Sequence, residues 1–346
     1  MTLSDKNTKS ILIVKIGAIG DVVMALSMIT AIDLKYERAK ITWLCGKTVE
    51  PLLRNCLRIN EIITLDENNL LTGNFITRIL EILKTWKKLF LRKFDLTIIA
   101  YRYSGYKALT LPAFTGQIKD FRGKDRSNIL IPGRYHAVEY ARLILEKDDW
   151  ETAEAGFPKI NVTSGNVILN KLDNLKGKKI VLNPGGAKNL INGGELRRWS
   201  IECYRDIAKR LSQNRTTNII LIGSDQDEWV LEFFNNLDVT NLINKTSLPD
   251  LIYLLEKCDL LLTHDTGIMH LAKLTSIGVI ALFGPTHPSG FIGKNENIFP
   301  VWNGENLACS PCYDGKKFAD CDNNVCMKNI SVEHVYQMIL NELSLN

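Results

Sequence analysis

Ile11-Leu12-Ile13-Val14-Lys15-Ile16-Gly17-Ala18-Ile19-Gly20-Asp21-Val22 is the stretch on which the fold turns. It begins as an apolar run short enough for a buried strand. Gly17 to Gly20 break the run. From Asp21 the period becomes helical, with Val22, Val23, Leu26, Ile29 and Ile32 carrying it to about Tyr36. Strands follow at 41–44, 61–65 and 96–100, with helices near 47–55 and 75–92 between them. Strand alternating with helix at this spacing predicts βαβ units and a parallel sheet. After a looser centre at 101–135, rich in aromatic and basic residues, and a helical stretch near 136–146, residues 148–178 turn polar. The same grammar then restarts at Lys179-Ile180-Val181-Leu182-Asn183. Strands at 218–222, 260–263 and 279–283 alternate there with helices at 201–211, 225–235, 248–257 and 267–275. Two doubly wound α/β halves, with domains at 1–160 and 178–330 and a helix in 331–346, are the expected architecture.

Composition agrees. A chain of 346 residues exceeds one domain of about 150 residues. Its 45% hydrophobic and 23% charged content excludes disordered and fibrous classes. No run approaches the roughly 18 apolar residues of a spanning helix, and the polar start reads as no secretory signal. A cytoplasmic protein is expected. Lys and Arg number 43 against 38 Asp and Glu, a surplus of +5 that suits an anionic ligand without requiring nucleic acid.

Ligands of open α/β sheets bind beyond the carboxyl ends of strands, and three segments fall there. In the first, Lys15 to Asp21, the glycines permit close approach, but the spacing is not the dinucleotide G-x-G-x-x-G. Asp21 is either a general base or the cap of its helix. In the second, His264-Asp265-Thr266-Gly267-Ile268-Met269-His270, a strand-to-helix junction offers backbone N–H groups to a diphosphate. Thr266 and His270 share a helix face, and His270 can donate to a phosphate oxygen. The bland alternative makes Asp265 the cap and His270 a core histidine. In the third, Gly185, Gly186, Gly193 and Gly194 lead to Arg197-Arg198, whose guanidinium groups suit phosphate.

Four of the eight cysteines, Cys309, Cys312, Cys321 and Cys326, cluster at a spacing able to close a thiolate site for structural zinc or iron. Cys45, Cys56, Cys203 and Cys258 read as inert core thiols. The stretch 76–93 pairs an apolar face (Ile79, Ile82, Leu83, Trp86, Leu89, Phe90) with Lys84, Lys87, Lys88, Arg92 and Lys93. Such a helix either packs that face on the sheet or rests on an anionic membrane surface.

These segments together resemble glycosyltransferase family 9, the ADP-heptose:lipopolysaccharide heptosyltransferases. The resemblance runs from Ile11 to about Leu340. It rests on Lys15 to Val22, Asn183-Pro184-Gly185 with Arg197-Arg198-Trp199, Asp265 to Ala272, Phe283-Gly284-Pro285-Thr286-His287-Pro288 and the Cys-Ser-Pro-Cys at 309–312. It implies a GT-B fold of two Rossmann-like domains facing a central cleft, acceptor on the first and nucleotide sugar on the second. The C-terminal helix would pack back toward the first domain. Transfer would be inverting, would need no metal for chemistry, and would use Asp21 as base. Donor contacts would come from Gly185, Gly186, Arg197, Asp227, Asp265, Thr266, Gly267 and His270, with Asp227 (or its rival Asp225) on the ribose. Lys15, Gly17, Arg102 and Tyr103 would meet the acceptor.

Two positions depart from the family pattern: Arg197 stands where it usually has Lys, and Tyr101 to Tyr106 replace a short Asp-Leu-Gln-Gly-like stretch. The implied partners are an ADP-sugar and a lipopolysaccharide core acceptor, with peripheral contact at the cytoplasmic face of the inner membrane and no nucleic acid. Two alternatives stand beside this reading: a protein hydroxyl as acceptor with a Cys-bound metal, or a non-catalytic nucleotide-sugar-binding module.

Overall fold

The computed structural model describes residues 9–101, 103–121, 135–145, 156–163, 165–187, 194–214, 216–294, 296–313 and 318–344. The chain divides into two compact units, Met1–Asn161 and Val162–Asn346. The first unit reaches past residue 155 because its surface holds the chain there. Thr30 Oγ1 donates to the Gly156 carbonyl at 2.8 Å, and the Asn161 amide to the Asn55 carbonyl at 3.0 Å.

Unit 1 carries strands β1 (Lys9–Val14), β2 (Ala39–Gly46), β3 (Glu61–Leu65), β4 (Lys93–Ile99) and β5 (Phe114–Asp120). They form one parallel sheet in the order β3-β2-β1-β4-β5. β1 is central, so Ile11 to Val14 are all buried and the strand reads as continuous apolar sequence. Unit 2 carries β6 (Lys178–Asn183), β7 (Thr217–Leu221), β8 (Thr240–Asn241), β9 (Leu260–His264), β10 (Gly278–Phe283) and β11 (Ile298–Trp302). Its sheet is also parallel, ordered β11-β10-β9-β6-β7-β8. Renumbered from its own first strand, each sheet begins 3-2-1-4-5, the doubly wound Rossmann order. Each unit therefore has a switch point where the winding reverses: between β1 and β4 in the first, between β6 and β9 in the second.

The C-terminal helix Val332–Leu343 belongs to unit 2. Val335, Ile339 and Leu343, one face at helical spacing, are buried in the core built by Ile180, Leu182, Leu262 and Ile280. This face of the helix is thus part of the unit 2 core.

The helix Phe75–Leu89 is rotated so that its apolar face is split, with Ile82 packed on the unit 1 core. Its buried positions are Glu81, Thr85 and Leu89. Of the apolar face named above, only Leu89 is fully buried, whereas Ile79, Leu83 and Phe90 are exposed. Polar capture explains the rotation: Glu81 Oε1 accepts from the Asp66 amide at 2.8 Å, and Trp86 Nε1 donates to the Ala108 carbonyl at 2.7 Å.

Candidate active site

At the switch point of unit 1, Lys15 follows β1 and Tyr101 follows β4. The Lys15 side chain is only 4% exposed. Its ammonium lies 3.3 Å from Asp21 Oδ2, 4.2 Å from the Tyr101 ring centroid and 5.4 Å from that of Tyr140. Burial alone would lower the Lys15 pKa, but the Asp21 carboxylate and the two phenols outweigh it and hold the ammonium above its usual range. The Trp43 indole N–H donates to the Lys15 carbonyl at 3.0 Å. Tyr101 fixes the turn: its hydroxyl accepts from the amides of Ile16 (2.8 Å) and Gly17 (3.2 Å) and donates to the Gly17 carbonyl (3.0 Å). Tyr106 stacks on it at 3.8 Å.

The helix that carries Asp21 is Ile19–Ala25, two residues earlier than its periodicity suggested, and its N-cap is Ala18 with no side-chain cap bond. Asp21 is therefore not a cap. Its carboxylate is 45% exposed, held by a buried cation and open to solvent. A Cβ at Gly17 would meet nothing within 4 Å, so the turn is open to a ligand. Tyr103 is 72% exposed, edge-on to Tyr106. Arg102 lies outside the described residues, as do Arg122, Lys124 and Arg126 of the basic centre.

At the switch point of unit 2, Asn183 ends β6. Its amide donates to the hydroxyls of Thr263 and Thr266, each at 3.1 Å. Asp265, 2% exposed, follows β9. Asp265 Oδ2 accepts from Thr286 Oγ1 at 2.9 Å and lies 3.5 Å from Arg197 Nη1; Oδ1 lies 3.9 Å from His270 Nε2. The N-cap of the helix Gly267–Ala272 is Thr266, not Asp265. His270 is buried beside Phe291, with ring centroids 5.9 Å apart. Arg197 Nη2 donates to the Ala187 carbonyl at 3.2 Å, while its buried Nε–H has no hydrogen-bond partner among the described residues. A buried guanidinium donor left over beside a strand-end turn fits an anionic ligand. Arg198 instead holds the turn itself, donating from Nε to the Gly186 carbonyl at 2.8 Å.

Asp227, expected on a ribose, faces the protein. Oδ1 accepts from the Gly186 amide at 2.7 Å, and Oδ2 from the amide and hydroxyl of Ser224, each at 2.8 Å. This packing explains Gly185, where a Cβ would fall 2.4 Å from Asp227 Oδ1. Gly186 has φ of 75°, a conformation glycine adopts without strain. Asp225 is the exposed acid of the pair. Of the loop at 185–194, residues 188–193, including Gly193, lie outside the described ones.

The Cys-Ser-Pro-Cys segment braces the loop carrying Thr286. Ser310 Oγ donates to the Gly284 carbonyl at 3.1 Å and the Cys312 amide to that of Pro285 at 3.0 Å. All eight cysteines are free thiols. Among the described residues, no group of three or more Cys, His, Asp or Glu is gathered as ion ligands. Within the quartet, Cys309 and Cys321 are exposed, and the Cys326 thiol donates to Asn324 Oδ1 at 3.3 Å. Cys45 and Cys56 are buried and Cys203 and Cys258 partly so; burial raises the thiol pKa of Cys45 and Cys258 to about 12 and also raises those of Cys56 and Cys203, which makes them less reactive.

The sequence did not single out Tyr101, Tyr140, Asn183 or Thr286 as contributors. Tyr101, Asn183 and Thr286 sat within quoted stretches at or shortly past a strand end, and that position was the available signal.

Two Rossmann-like units, each with polar side chains gathered at its switch point, make the fold that of the GT-B glycosyltransferases. The profile of glycosyltransferase family 9 (heptosyltransferase) matches residues 84–321, and the chain belongs to that family. Lipooligosaccharide heptosyltransferase 2 of Campylobacter jejuni is 32% identical over 180 residues, 48% of this chain and 52% of that protein. The chain thus spans about half the length of this curated relative. Lipopolysaccharide core heptosyltransferase OpsX of Haemophilus influenzae is 25% identical over 327 residues, 87% of each chain. The solved structure of the Escherichia coli ADP-heptose LPS heptosyltransferase II shares the fold with a TM-score of 0.72 at 19% identity, covering 96% of this chain and 98% of that one.

Proposed function

We propose that the protein is an inverting glycosyltransferase that moves heptose from ADP-heptose to a lipopolysaccharide inner-core acceptor, with Asp21 as base. The observation that carries this reading is the half-exposed Asp21 carboxylate, which caps nothing and is held at 3.3 Å by the buried Lys15 ammonium. In a single displacement the acceptor hydroxyl must lose its proton as it attacks the anomeric carbon. A carboxylate fixed in orientation yet open to solvent suits that role. On unit 2, the backbone N–H groups at Thr266 and Gly267 and the Arg197 guanidinium would stabilise the departing ADP. Family membership and the names of the relatives support donor and acceptor. An acceptor built on lipid places the reaction at a membrane surface, and the protein is read as cytoplasmic and peripheral to the inner membrane.

The test is ADP release from ADP-heptose in the presence of core acceptor. Asp21→Asn is expected to lower turnover by about 10²-fold or more with donor binding preserved. Full turnover in Asp21→Ala would overturn the base assignment. ADP-heptose that binds but is not consumed, even with acceptor present, would overturn the catalytic reading.

A further inference from the structure

The helix Phe75–Leu89 turns its apolar stripe to solvent. Phe75 is 76% exposed, Ile76 68%, Ile79 38%, Leu80 50% and Leu83 48%. At 100° per residue these side chains share one arc, opposite the buried Glu81 and Thr85. The stripe continues beyond the helix. The Leu91 amide donates to the Pro112 carbonyl at 3.1 Å and the Phe114 amide to the Arg92 carbonyl at 2.8 Å, which sets exposed Leu111 and Phe114 beside its end. Exposed apolar groups scattered singly are ordinary; a contiguous run of them along one helix is the mark of a docking surface.

The charge is equally local. Residues 74–93 hold six cations (Arg78, Lys84, Lys87, Lys88, Arg92 and Lys93) and one carboxylate, the buried Glu81. With 43 cations and 38 carboxylates in the whole chain, 37 of each remain elsewhere. The entire +5 surplus therefore belongs to this one segment. We propose that this face docks on an anionic lipid bilayer. The apolar stripe would enter the boundary between headgroups and acyl chains, with Lys84 and Lys87 at the lipid phosphates. A second copy of the chain is the poorer occupant, because a two-fold interface would set the molecule's whole cationic surplus against itself. The inference deepens the peripheral reading above, and its test uses neither donor nor acceptor.

Full-length protein is floated with phosphatidylcholine vesicles carrying about two-fifths phosphatidylglycerol, and with phosphatidylcholine vesicles alone. Partition onto the anionic vesicles is expected to be at least about tenfold stronger and to fall in high salt. Lys84→Gln with Lys87→Gln should weaken it about 25-fold, at about fivefold per charge. Ile79→Gln with Leu83→Gln should weaken it about tenfold or more. Thermal unfolding should be unchanged in Ile79→Gln with Leu83→Gln, whose side chains are exposed, and little changed in the lysine variant, where Lys84 gives up its 3.5 Å pairing with Glu81. Equal partition onto both vesicle types, or variants that bind like the parent, would overturn the proposal. So would a concentration-dependent dimer that Ile79→Gln with Leu83→Gln dissolves while no vesicle is bound, which would give the face to a second copy.

Discussion

Burial, reinforced by the nearby Arg197 and Arg198 guanidinium groups, pushes the His264 imidazole down to about 3. It is therefore neutral under all ordinary conditions, with Nδ1 3.1 Å from the Tyr204 hydroxyl. This has a consequence for stability. The unfolded chain, near the ordinary value of about 6.5, takes up a proton as pH falls, and the folded chain does not. Stability from this residue is complete above about pH 6.5 and is lost as pH falls from there toward 3. At 1.36 kcal/mol per unit, the loss between pH 7 and pH 5 is about 2 kcal/mol. Denaturant unfolding at the two pH values should show that difference in the parent and not in His264→Gln. Equal losses in both proteins would remove His264 as the cause. The same two arginines differ in their contacts: Arg198 closes the Gly186 turn, while the buried Nε–H of Arg197 has no partner among the described residues.

Among elements, the C-terminal helix Val332–Leu343 separates core from surface cleanly. Ile339 is fully buried, so Ile339→Ala should cost about 2–4 kcal/mol in denaturant unfolding. Glu333 pairs with Arg210 at 2.7 Å but is exposed, and Glu333→Ala should stay within about 1 kcal/mol. The reverse order of costs would mean that this helix does not complete the unit 2 core. Elements were legible where both faces are buried: β1, β6, β9 and β10 announce themselves as apolar runs because parallel strands are covered on each side. β5 and β11 were not, since both are edge strands: Phe114–Asp120 alternates little, and Pro300 interrupts Ile298–Trp302. The helix Phe75–Leu89 was legible as a helix but not in its orientation. Glu81 is drawn inward by an amide at Asp66, a partner no periodicity reveals. The site divides in the same way. Asp21, Lys15, Asp265 and Thr266 lie beside glycine turns and could be read locally, whereas Tyr101 and Tyr140 reach Lys15 from far along the chain.

At the scale of the molecule, each unit owns a sheet, a core and a switch-point cluster of different chemistry. Unit 1 presents a carboxylate beside a buried ammonium; unit 2 presents a buried guanidinium donor, Asp265 and backbone amides of a strand-end turn. A nucleotide diphosphate should therefore stabilise unit 2 first. A ligand that binds only the folded state adds RT ln(1 + [L]/Kd), about 2.7 kcal/mol at a hundredfold excess over Kd. Amides that exchange through opening of unit 2 should then slow about a hundredfold when ADP is added. The clearest reporters are Ile180, Val181 and Leu182 in β6 and Leu260, Leu261 and Leu262 in β9, all buried and ladder-bonded. Ile11 to Val14 in β1 should change far less, because among the described residues the cluster they support holds no guanidinium. Hydrogen exchange with mass spectrometry resolves the two sets. Equal protection of both sets would assign the stabilising contacts with ADP to both units and overturn the division of labour proposed above. Protection confined to β6 and β9 would leave Asp21 and Lys15 for the acceptor, as the direction of proton transfer requires.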